Sequence, residues 1–158
     1  MALAVGGCTS KEEQARRDAA DIAAVKAAQN QLPPLVPANP EPLSPADLAR
    51  LDAPGGVCSF VASTSARAEI LLASDAHFAW IRLDGGLVKL ASDPGSAPGP
   101  AGSWTHYVGK EQTLRIEGRG NAGVPPSATA GAWPSRITLR DPHDRVVFSS
   151  DGTLGCRQ

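Results

Sequence analysis

The stretch Ala79-Trp80-Ile81-Arg82-Leu83-Asp84-Gly85-Gly86-Leu87-Val88-Lys89-Leu90-Ala91 decides the fold class. Apolar and polar residues alternate on both sides of a Gly-rich centre. A two-residue Asp-Gly or Gly-Gly turn there supplies the positive φ angles that primed hairpin turns need. With either turn, Ile81 shares a face with Val88 and Leu90, and Trp80 lies on the opposite face. The pattern returns in Arg136-Ile-Thr-Leu-Arg140, Asp141-Pro-His-Asp144 and Arg145-Val-Val-Phe-Ser149. A four-residue loop is expected to pair Leu139 with Val146 and Ile137 with Phe148 on one face. The same alternation predicts strands over 57–62, 68–73, 77–83, 87–91, 104–108, 112–118, 136–140 and 145–149. No strand–helix–strand pattern and no fixed-period repeat is present. The expectation is a mainly β domain, an antiparallel barrel or sandwich of about seven to eight strands.

Outward from this region the chain changes character. All seven aromatic residues, Phe60, Phe78, Trp80, Trp104, Tyr107, Trp133 and Phe148, lie in the β part, and large rings dominate core burial. Residues 11–31 contain neither Gly nor Pro. Glu12/Arg16 and Glu13/Arg17 are i,i+4 pairs of favourable orientation, which predicts a helix. Its apolar stripe of Ala15, Ala19, Ile22 and Val25 is thin, as befits a solvated spacer. Five prolines between Leu32 and Pro42 make an extended connector. Ser44-Pro45-Ala46-Asp47 then opens a short helix, with Ser44 at the N-cap and Pro45 at the first helical position. The organisation read from this is a short N-terminal segment in 1–10, a helical spacer in 11–31, a Pro-rich linker with a short helix in 32–54, and a β-domain in 55–158.

Charge and composition narrow the function. Lys and Arg number 15 against 16 Asp and Glu, a net charge of −1, without the basic excess of a nucleic-acid binder. Gly and Pro, at 16 and 14 residues, are too frequent for a helical bundle. No apolar run approaches the roughly 18 residues of a membrane-spanning helix.

The three cysteines point to a compartment. Leu3-Ala-Val-Gly-Gly7 before Cys8 resembles the lipobox of bacterial lipoproteins. That resemblance implies that 1–10 is a remnant signal, lipobox and tether, with a diacylated Cys8 and a membrane partner held by lipid. Thr9 after the cysteine implies sorting to the outer membrane. Cys58 and Cys156 remain as an even pair, in the first predicted strand and at the chain end. They form either a disulfide or two buried thiols. A disulfide would close a loop of nearly the whole domain, stabilising it by roughly 4–5 kcal/mol, and would require an oxidising compartment such as the periplasm.

Signals for catalysis are thin. Gly118-Arg-Gly120-Asn-Ala-Gly123 follows a predicted strand, but Val124-Pro125-Pro126 opens no helix of the kind a phosphate cradle uses. His77, His106 and His143 lack metal-ligand spacing, and there is no C-x-x-C. Asp141-Pro-His-Asp144 is explained by turn chemistry. G-x-S-x-G is absent. No catalytic residue, metal ligand or cofactor is therefore assigned. Trp104, His106, Tyr107 and Trp133 form a candidate binding surface; the alternative is that the rings cap the ends of the β-core. The loop 92–103 has no apolar anchor and is long, which predicts a mobile or functional segment.

The order of Cys8 tether, helix, Pro-rich connector, Gly56-Val-Cys-Ser-Phe60, Leu83-Asp-Gly-Gly-Leu-Val-Lys-Leu90, Tyr107-Val-Gly-Lys-Glu111, Arg140-Asp-Pro-His-Asp-Arg-Val-Val147 and Gly155-Cys156 resembles a group of uncharacterised small lipoproteins of Gram-negative bacteria. In architecture alone it is also similar to the membrane-bound lysozyme inhibitors, whose inhibitory loop motif is not present here. The resemblance implies no activity. The expected function is a non-catalytic periplasmic lipoprotein, a module that binds an envelope protein or peptidoglycan and no nucleic acid. The alternatives are a hydrolase or other enzyme acting on an envelope substrate, and an inhibitor of an envelope-attacking enzyme. A deep pocket holding His77 or His106 beside a carboxylate would favour an enzyme. A packed interior with flat loop surfaces would favour a binder.

Overall fold

A computed structural model describes residues 10–51, 57–120, 125 and 128–157. The chain divides between Pro34 and Leu35 into two units. The first holds helix α1, Lys11–Gln29, whose N-cap Ser10 accepts the Glu13 N–H and which buries no residue. Glu13 and Arg17 pair at 2.8 Å across one turn.

The second unit is a barrel. Strands β2 (Val57–Ala62), β3 (Ile70–Ser74), β4 (Phe78–Leu83), β5 (Gly86–Ser92), β6 (His106–Val108), β7 (Thr113–Gly118), β8 (Gly131–Arg140) and β9 (Val146–Arg157) pair antiparallel in the order β4-β3-β2-β9-β8-β7-β6-β5, and β5 closes onto β4. A two-residue strand β1 (Pro40–Glu41) and helix α2 (Pro45–Ala49) lie outside this ring of eight. Alternate residues point inward. Phe60, Leu72, Ile81, Leu90, Leu114, Ile137, Leu139 and Leu154 fill the interior, as side chains fill any barrel of this strand number.

The β4–β5 hairpin matches its sequence. Asp84 and Gly85 both take positive φ, 49° and 75°, in a primed two-residue turn, and Ile81 faces Val88. The β8–β9 hairpin differs from expectation. Arg140, not Leu139, faces Val146, and a bulge then sets Leu139 opposite Phe148 and Ile137 opposite Ser150. The Asp141 carboxylate accepts the His143 and Arg145 N–H groups and pairs with the Arg145 guanidinium. This holds a five-residue loop closed between Asp141 N–H and Arg145 C=O at 3.0 Å, and the extra residue is absorbed as a bulge.

Strands β8 and β9 also run further than their alternation predicts, through Gly131–Ser135 and Ser150–Arg157. Pro134 is tolerated because its carbonyl accepts the Arg119 N–H at 2.8 Å. Its missing donor therefore falls where β7 ends and not in the β9 ladder. Gly152 is required by close approach: a Cβ there would collide with the Val61 carbonyl and, at 2.5 Å, with the Phe60 ring.

Cys58 and Cys156 are directly opposed on β2 and β9, with Cα atoms 4.0 Å apart, and form a disulfide across 98 residues. It sits at one end of the barrel, the loop end, where the segments 75–77 and 93–105 emerge, β7 ends and β8 begins. The connector end carries the turns 63–69, 84–85, 109–112 and 141–145.

Residues 38–51 are bonded to the barrel at the connector end and along its outer wall. Ala38 donates to the Val147 carbonyl of β9 at 3.0 Å, and Leu43 to the Ile70 carbonyl at 2.7 Å. Pro40 and Glu41 pair with Leu83 and Arg82 of β4. β5 takes one flank of β4, so β1 continues the flank that β3 occupies. Ser44 and Asp47 form a capping box on α2. Arg82 pairs with Asp47 at 3.0 Å and Glu41 at 3.3 Å. Leu43 joins Ala73 and Trp80 in a second apolar cluster on the outside of β3 and β4, with Leu48, Leu51 and Phe78 packed around it.

Candidate functional site

The segment between β5 and β6 is a folded excursion. Asp93 N–H donates to His106 C=O, Thr105 N–H to Ala97 C=O and Gly99 N–H to Ser103 C=O. Contrary to the sequence expectation, it has apolar anchors: Pro100 is buried, and Ala101 and Trp104 pack on the core. The anchors escape a sequence reading because Pro and Ala carry no hydrophobic period. The short 3-10 turn Pro100–Gly102 plugs the loop end beside the disulfide, the Pro100 carbonyl lying 3.7 Å from the Cys58 sulfur.

Tyr107 is fully buried, which removes it from the candidate surface. Its hydroxyl donates to the Asp75 carbonyl at 2.8 Å and accepts the Trp104 N–H at 3.0 Å, so the ring acts as a strut under the loop. Burial pushes its phenol above the ordinary value, against hydrogen bonds that pull the other way. Trp104 is half-buried, its indole donating to the Ala76 carbonyl at 3.1 Å. Trp133 packs on the core opposite Leu154 and does not line the cleft that holds Trp104 and His106. His77 and His143 are exposed in turns organised by Asp75 and Asp141. Cys8 and residues 121–123 of the Gly-rich stretch lie outside the described residues.

The structure brings Trp104 and His106 together on one cleft of about 600 Å³ between the 93–105 loop and β7. Asp93, Arg115, Ile116, Glu117, Gly118 and Leu154 share its walls. His106 Nδ1 lies 3.0 Å from Asp93 Oδ2. The hydrogen bonds of His106 and of the Gly95 N–H hold the Asp93 carboxyl below its usual range. Arg115 is the cross-strand partner of His106, with its guanidinium 3.9 Å from Glu117. Arg115 and Glu117 alternate with Leu114 and Ile116, so the sequence places them on the outer face; their meeting with His106 depends on strand pairing and is not legible locally.

The cleft hydroxyls are engaged with the loop's own main chain. Ser96 Oγ donates to Asp93 C=O at 2.7 Å, Ser103 Oγ to Pro100 C=O at 2.7 Å and Thr105 Oγ1 to Ala97 C=O at 3.0 Å. Among the described residues the His106 ring has one hydrogen-bond partner, Asp93. Also among the described residues, no three His, Cys, Asp or Glu side chains group to hold a metal ion, and no helix is long and apolar enough to cross a membrane. Comparison of the chain with protein-family models, curated proteins and solved structures gave no match.

Proposed function

We propose that this chain is a lipid-anchored lipoprotein of the bacterial envelope whose barrel is a non-catalytic binding module, with the loop-end cleft as its ligand surface. The observation that carries the reading is the state of the cleft's hydroxyls. All three donate to backbone carbonyls of the loop, which builds a rigid wall, and among the described residues none of them is hydrogen-bonded to His106. The filled interior directs binding to this outer concavity, whose volume and mixed apolar and polar lining are those of ligand sites. The disulfide supports an oxidising compartment and agrees with anchoring through Cys8.

The test is photo-cross-linking in cells from position 117 in the cleft wall and from Leu87 at the connector end. The reading expects one discrete adduct from position 117 and none from 87. Muramidase treatment separates a peptidoglycan adduct from a protein one. No adduct from 117, or equal adducts from both, would overturn the cleft assignment. In parallel, Cys8→Ser should release the protein from the membrane fraction; unchanged membrane association removes the lipid anchor.

A second reading has one observation in its favour. The His106–Asp93 pair in a concave site is the orienting half of an acid–base dyad, which fits a hydrolase. It predicts release of dye from labelled envelope substrate that His106→Ala abolishes.

A further inference from the structure

Strand β7 has a flank that its described neighbours leave unpaired. Ile116 N–H donates to Thr105 C=O at 2.8 Å, and Arg119 N–H donates to Pro134 C=O at 2.8 Å. Backbone groups of successive strand residues alternate between the two flanks. Ile116 and Gly118 therefore direct their polar groups toward β6, and Glu117 and Arg119 toward β8. The β6 chain turns away at Thr105, whose own N–H goes to Ala97. Ile116 C=O and both backbone groups of Gly118 are left without a backbone partner among the described residues. All three face the cleft that Ile116 and Gly118 line, and Gly118 is exposed.

The flank of β9 at the connector end makes the contrast. There Ala38 donates to Val147 C=O and Ser63 to Asp151 C=O. The chain itself thus blocks that flank at both ends, with only Ser149 between. The β7 flank is blocked at one end, by Thr105, and at Gly118 no backbone group among the described residues pairs with it.

We propose that the cleft takes an extended peptide, which adds a short strand to β7 through Ile116 C=O and the Gly118 N–H and C=O. This rests on the cleft being the ligand surface and names the ligand's chemistry. An added strand alternates its side chains between two faces. One face meets Ile116, Leu154 and Pro100 and accepts an apolar side chain. The other meets Arg115, Glu117 and the His106–Asp93 pair and accepts a charged or polar one. One unpaired donor between two unpaired acceptors at strand spacing matches a polypeptide backbone, which is why a peptide is chosen over a glycan.

The experiment pans a random heptapeptide phage library on the immobilised full chain and measures the enriched synthetic peptides by calorimetry. Gly118→Pro removes the open donor without breaking a bond of the β8 ladder, while also fixing the backbone there; Gly118→Ala keeps the donor. The proposal expects enriched peptides of alternating character whose binding Gly118→Pro weakens about tenfold or more and Gly118→Ala leaves nearly unchanged. Methylating alternate peptide nitrogens should abolish binding to the unaltered protein, a readout independent of how Gly118→Pro folds. No enriched peptide, or enriched peptides indifferent to backbone methylation, overturns the proposal. If position 117 still cross-links in cells after such a result, the binding-module reading stands with a ligand that is not an extended peptide.

Discussion

At the connector end of the barrel the chain bonds back onto its own strands. Ala38 and Ser63 cap the flank of β9, and Glu41 and Asp47 grip Arg82. At the loop end a disulfide and a tyrosine strut hold an excursion in place, and beside it, among the described residues, the flank of β7 is unpaired along a cleft. Open strand edges invite pairing with other chains and are ordinarily covered. An edge that is left open, next to a rigid concavity, is where a binding role concentrates. The connector-end contacts act on stability; the loop end combines stability with recognition.

The largest effect should come from the staple. Replacing both Cys58 and Cys156 by Ser should remove roughly 4–5 kcal/mol in urea unfolding, the chain-entropy scale for a loop of this length. A loss near zero would mean that the Pro100–Trp104 plug alone holds the loop end. Next comes Trp80→Ala, expected to remove about 3–5 kcal/mol, because Trp80 is only 4% exposed in the cluster with Leu43. It should also speed hydrogen exchange at the Leu43 amide. Trp104→Ala should destabilise less, its ring being half-exposed; an equal loss would erase the distinction between the ends. Tyr107→Phe leaves the Trp104 N–H without its acceptor and should remove about 1–3 kcal/mol. It should loosen the 93–105 amides and leave the connector amides unchanged.

The smallest effect is in acid. Hydrogen bonds from Ser44, with help from Arg82, depress the Asp47 carboxyl, and hydrogen bonds from His106 and Gly95 depress that of Asp93. A carboxylate depressed in the folded state adds stability above its ordinary value, and that stability is lost as pH falls through the folded one. Unfolding titrations below about pH 4 should show this loss. Asp47→Asn should flatten the connector-end share and Asp93→Asn the loop-end share, each followed by amide exchange at its own end.

How much of this was legible depended on whether the controlling contact was local. The 57–62 strand and the Asp84-Gly85 turn follow from period-two alternation and a local demand for positive φ. Cys58 and Cys156 stand out as a candidate pair once the lipobox resemblance sets Cys8 aside; that they are bonded depends on β2 and β9 being neighbours. Ser149-Ser-Asp-Gly152 hides the second half of β9, because its in-strand glycine answers to the Phe60 ring far away in sequence. Residues 38–51 read as a proline-rich connector. Their role in the wall depends on Arg82, which no local pattern links to Glu41 or Asp47. In the candidate site, aromatic content alone drew attention to Tyr107. The phenol, however, has its acceptor and donor at Asp75 and Trp104, which makes it a strut. Arg115, Glu117 and Gly118 reach the cleft through strand pairing alone.

The claim that one barrel end is closed by its own chain and the other is left open can be measured directly by amide hydrogen exchange on the free full chain. The account predicts slow exchange at Ala38, Leu43, Ser63, Ile116 and Arg119, and fast exchange at Gly118 between protected neighbours. Gly118 exchanging as slowly as Ile116, or Ala38 exchanging as fast as Gly118, would contradict it.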